Sequence, residues 1–153
     1  MACQREQAPS PAEPIILDCE LSGTNSSRDY LRPVASLPPK TVSERITLRI
    51  TNAPLKIEQL RDDKNAFLPL CGDGRACKAT QTPAEYRFTS SLNLDDKAAG
   101  YTSAEQSQLT LSRTTGTIAT TWTMTHKSQA SQLVMTQERA GTCKPGAKPI
   151  QKF

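Results

Sequence analysis

The stretch SQLTLSRTTGTIATTWTMT, residues 107–125, constrains the fold more than any other. Leu109 and Leu111 alternate with polar neighbours, Thr115-Gly116 supplies a turn, and Ile118, Thr120, Trp122 and Met124 alternate after it. Period-two alternation on both sides of a glycine turn describes a β-hairpin with one packed face and one wet face. ERITLRIT, residues 44–51, repeats the pattern, with Ile46, Leu48 and Ile50 inward and Arg45, Thr47 and Arg49 outward. A polar face along a regular strand argues for an antiparallel sheet wetted on one side.

Shorter signals extend this reading. IILDCELS (15–22) sets Leu17, Cys19 and Leu21 on one face, LKIEQL (55–60) offers Leu55 and Ile57, EYRFTSSL (85–92) offers Tyr86 and Phe88, and QLVMTQER (132–139) closes the series. YTSAEQSQ (101–108) is predicted as the one short helix, capped by Ser103 and Gln106. The sum is an all-β domain of about seven strands, an antiparallel sandwich or small barrel. Its predicted core is Leu48, Ile50, Phe88, Leu111 and Trp122, with Tyr86 and Met124 packed on the tryptophan.

The chain has 153 residues, enough for one core, and its eleven prolines break the remainder into loops. Residues 1–14, with Pro9, Pro11 and Pro14, read as a flexible tether; 15–144 as the single domain; 145–153 as a basic tail. Two long loops are expected, at 25–42 and at 61–83. The net charge of +4 comes from scattered basic residues with few aromatics among them, which argues against nucleic acid as a partner. No apolar run approaches the roughly 18 residues of a membrane span.

Five cysteines occur. Cys71 and Cys77 bracket LCGDGRACK, where Gly72 and Gly74 permit a tight reversal that brings two sulfurs together. Cys19 lies in the first strand and Cys143 just after the last, so a bond between them would ring the domain. Four cysteines allow three connectivities, and these two pairs are the expected ones. Zinc is disfavoured by the spacing and by a single histidine, His126, so no metal and no cofactor are expected.

Cys3 is the odd thiol. Ala2-Cys3 followed by QREQAPSPAEP resembles the processed end of a bacterial lipoprotein, in which a small residue precedes the lipidated cysteine and a polar tether follows it. The resemblance covers two residues and the composition of their flank. It implies an exported chain whose signal peptide has been removed, periplasmic or held at the outer membrane, touching the membrane only through a lipid on Cys3. The alternative address is the cytoplasm. The strand, threonine-glycine turn, return strand and late Gly141-Thr142-Cys143 are also similar to small exported bacterial domains of unassigned function.

Motifs for nucleophile elbows, zinc proteases, phosphate loops and dinucleotide binding are absent from the sequence. His126 is the sole side chain suited to general-base work near neutrality, and Asp18, Glu20, Glu58 and Glu85 are the carboxylates from which a hydrolase pair could be drawn. The expected role is non-catalytic: a module binding another protein or an envelope component, as an inhibitor or immunity protein of an envelope-acting enzyme. A structural part of an envelope or secretion assembly is the alternative, and a carboxylate hydrolase the third. The expected binding loop carries Asp73 and Arg75, with Asp62 and Asp63 near it; the oligomeric state stays open.

Overall fold

A computed structural model describes residues 13–146. It contains nine strands: β1 (Ile15–Asp29), β2 (Leu37–Thr51), β3 (Lys56–Arg61), β4 (Ala66–Pro69), β5 (Ala76–Gln81), β6 (Glu85–Asp96), β7 (Tyr101–Ser112), β8 (Thr117–Ser128) and β9 (Gln132–Pro145). They form one antiparallel sheet in the order β4-β3-β2-β1-β9-β8-β7-β6-β5, curled into a half-barrel. The all-β antiparallel architecture is therefore present, with nine strands rather than seven. YTSAEQSQ is not helical: it opens β7, paired on both sides to β6 and β8.

The sheet is open between β4 and β5, and strand parity explains why. Eight successive antiparallel steps leave these two edge strands pointing the same way. A parallel pair needs a crossover of about a dozen residues or more, whereas β4 and β5 are joined only by residues 70–75. They act as one interrupted strand, its first part paired to β3 and its second to β6. The Cys71–Cys77 disulfide staples the interruption. The expected loop at 61–83 thus contains two short strands, and the expected loop at 25–42 is mostly the upper ends of β1 and β2.

Cross-strand rungs show how the inner face changes along the barrel. One rung runs Leu21, Gly141, Ile118, Leu111, Tyr86 and Gln81 across β1, β9, β8, β7, β6 and β5. The next runs Gly23, Arg139, Thr120, Leu109, Phe88 and Ala79, and the one above it Asn25, Gln137, Trp122, Ser107, Ser90 and Cys77. The core fills the lower end: Cys19, Leu21, Leu48, Ile50, Ile57, Tyr86, Phe88, Leu109, Leu111 and Ile118. Trp122 is not part of it. It sits two rungs above Leu111, half-buried, where β3 and β4 have already ended and β5 reaches its last pairs, at Cys77 and Ala76. Cys19 and Cys143 are rung partners on β1 and β9 and are disulfide-bonded at the buried end. The two strands approach so closely there that a Cβ on Gly141 would run into the Glu20 carbonyl.

Candidate functional site

β1 and β2 outgrow the strands beside them. β2 pairs with β3 only from Leu48 to Thr51, so its upper part, Leu37–Thr47, presents an unpaired edge. Pro38 and Pro39 remove edge donors there, and Lys40 and Arg45 add charge, devices that keep an edge from pairing at random. The result is an arm that projects past the core and ends in residues 30–36, which include a single 3-10 turn, Pro33–Ala35.

Asp29 holds the tip in place. Its carboxylate is 2% exposed. Its Oδ1 accepts the N–H groups of Leu31 and Arg32 at 3.0 Å each and of Gln132 at 3.2 Å, while Oδ2 accepts the Ser131 hydroxyl at 2.8 Å and pairs with Arg32 Nε at 3.4 Å. Its own N–H donates to Ser36 Oγ at 2.9 Å. One side chain thus ties the tip to the β8–β9 turn. Burial pushes the Asp29 carboxyl up, but the bonds from Ser131, Gln132, Arg32 and Leu31 outweigh it and hold the group well below the usual carboxylate range.

On this fixed frame stand Tyr30, Leu31, Val34 and Leu37, exposed by 51%, 53%, 100% and 67%. Arg28 lies over the Tyr30 ring at 4.7 Å. Large apolar side chains gathered on one tip and rimmed by arginine differ from the scattered exposed leucines of any soluble surface.

A second feature lies on the concave face. A cavity of about 220 Å³ has an apolar floor of Ile46, Leu70, Phe88 and Leu109 and a wall that includes Trp122, Gln59, Gln137, Glu44 and Arg139. Arg139 is braced by Gln137 Oε1 at 3.2 Å, Asn25 Oδ1 at 3.1 Å and Glu44 Oε1 at 3.4 Å. Ser90 and Ser107 share a hydrogen bond on the same rung as Trp122.

The residues expected to form a binding loop are not brought together as one surface. Asp62 and Asp63 lie in the β3–β4 turn, Asp63 near Arg61 at 3.7 Å. Asp73 stands in the stapled connection, but Arg75 is turned away into an ion pair with Glu105. Each of the hydrolase carboxylates is engaged by a partner of its own. Asp18 accepts the Thr47 hydroxyl, Glu20 pairs with Arg45, Glu58 with Arg49, and Glu85 with Arg87. His126 lies in β8 with its ring 5.1 Å from that of Tyr101, not at a free strand end. Cys3 lies outside the described residues. Among the described residues no group of three His, Cys, Asp or Glu could hold a metal ion, and no helix is long and apolar enough to cross a membrane.

Sequence reasoning missed Asp29 and Arg139. Asp29 had a signal: an aspartate followed at three and four residues by Arg32 and Pro33 favours a side-chain-capped turn. Compared with known proteins, the chain matches no family model and is similar to no curated protein. Its two disulfides, one spanning 124 residues and one spanning 6, suit an oxidising environment such as that met by exported chains.

Proposed function

We propose that the protein is a non-catalytic binding module of the bacterial envelope, carried on a tether lipidated at Cys3, that holds another protein on the tip of its β1–β2 arm. One observation carries this reading: Tyr30, Leu31, Val34 and Leu37 stand exposed on a loop that Asp29 has already ordered. A tip fixed before contact loses little further entropy on docking, and tyrosine and arginine are the side chains that dominate binding hot spots. Blocking an envelope-acting enzyme suits such a part, because a protruding apolar tip fits a cleft.

Placing the photo-crosslinking residue benzoylphenylalanine at Val34 tests the proposal in the native host. The expected result is one discrete protein adduct, lost when Tyr30→Ser and Leu31→Ser are added. No adduct, or equal labelling from Thr142 on the convex face, would overturn it. The unpaired edge of β2 favours a second reading, a permanent part of an envelope assembly. In that case the adduct partner co-purifies at fixed stoichiometry without cross-linking.

A further inference from the structure

We propose that the concave cavity beside Trp122 is a binding site for a small neutral polyhydroxy ligand, a single sugar residue. This stands apart from the arm tip and does not depend on it. Size sets the first bound. The cavity of about 220 Å³ is smaller than the roughly 300–1,000 Å³ of pockets for drug-sized molecules, so it takes one ring.

Charge sets the second. Arg139 is neutralised within the cavity wall by Glu44, with Gln137 and Asn25 completing its bonds, and Arg75 is neutralised by Glu105 on the same face. Neither an anion nor a cation finds an uncompensated partner.

The chemistry of the lining sets the third. The half-buried Gln59 and Trp122 side chains have no hydrogen-bond partner among the described residues and are open to a ligand, while Arg139 Nε is buried as a donor without an acceptor. Buried polar groups are costly unless paired, and a barrel end meant only to pack is cheaper to fill with apolar residues. Carboxamides and hydroxyls both donate and accept, as sugar hydroxyls do. The apolar floor of Ile46, Leu70, Phe88 and Leu109 and the Trp122 ring suit the C–H face of a pyranose.

Trp122 is the only tryptophan in the chain, so its emission reports directly on the site. The full chain with disulfides formed is titrated with methyl glucoside, methyl galactoside, methyl mannoside and methyl N-acetylglucosaminide, and separately with glucuronate and glucosamine. A saturating emission change with at least one neutral glycoside is expected, weakened by about fivefold or more in Gln59→Ala, the factor one lost hydrogen bond carries. Thr120→Val, which keeps the side-chain shape, serves if Gln59→Ala folds poorly. Trp122→Phe is read by calorimetry and weakens binding similarly. Silence across the neutral panel, unchanged affinity in all three variants, or a stronger response to glucuronate or glucosamine would overturn the proposal.

Discussion

The two ends of the half-barrel obey different rules. At the lower end rungs such as Leu21, Ile118, Leu111 and Tyr86 fill the interior with buried side chains. At the upper end β3 and β4 have stopped and β5 is at its end, the remaining strands form an open trough, and the corresponding rung is Asn25, Gln137, Trp122, Ser107, Ser90 and Cys77. The lower end is held by apolar burial. The upper end is held by hydrogen bonds, above all those of Asp29, and it carries both the apolar tip and the cavity. The packed core and the exposed apolar tip are therefore separated along the barrel axis.

The largest effect that would sharpen this contrast comes from the disulfide of the packed end. Cys19→Ser with Cys143→Ser opens a loop spanning 124 residues, and chain entropy alone predicts a loss of about 5 kcal/mol. Denaturant unfolding measures it. Removing Cys71–Cys77, which spans 6, should cost about 2 kcal/mol. Equal losses would show that the seam, not the ring closure, holds the sheet.

Next comes Leu48→Ala. Leu48 is 0% exposed and sits inside the core, so the cavity and transfer terms together predict a loss of about 3 kcal/mol in the same experiment. A loss under about 1 kcal/mol would mean that the lower end is not packed as a core.

Acid probes the upper end. Asp29 titrates well below its unfolded value, so its stabilisation is complete above about pH 4 and is lost progressively as pH falls below that. Hydrogen exchange at the Leu31 and Arg32 amides should therefore quicken below about pH 4, before the amides of Leu48 and Ile50 follow. In Asp29→Asn, which has no proton to gain, tip exchange should be fast already at neutral pH and nearly flat with acid. Simultaneous loss of protection at both ends would erase the distinction between them.

How far the sequence could be read follows the same axis. ERITLRIT and the 107–125 hairpin were legible because their lower halves alternate apolar with polar against a dry interior. β1 beyond Leu21 reads SGTNSSRD, and the start of β7 reads YTSAEQSQ. Both face a wet trough, so neither carries an apolar period, and polar strands look like loops or caps. The open β4–β5 seam was beyond reach because it depends on strand parity across the whole sheet. The arm tip at 30–37 fell within an expected loop, whereas its anchor, Asp29, is defined by partners over 100 residues away in sequence.

Trp122 shows the same limit at one residue, and it carries the smallest predicted effect. Alternation placed it correctly on the inner face with Ile118 and Thr120, but alternation says nothing about depth along the barrel. Two rungs separate it from Ile118, and over that distance the interior passes from 2% exposed to half-buried. A core tryptophan replaced by a smaller ring would leave a void and cost several kcal/mol, about 3 or more for full truncation. At a trough wall one side of the ring is open to solvent and flexible polar side chains such as Gln137 stand beside it, so the gap closes at little cost. Trp122→Phe should therefore cost less than about 1 kcal/mol of unfolding free energy while weakening sugar binding. A loss matching that of Leu48→Ala would return Trp122 to the core, extend the packed end by two rungs and remove the space in which a ligand could sit.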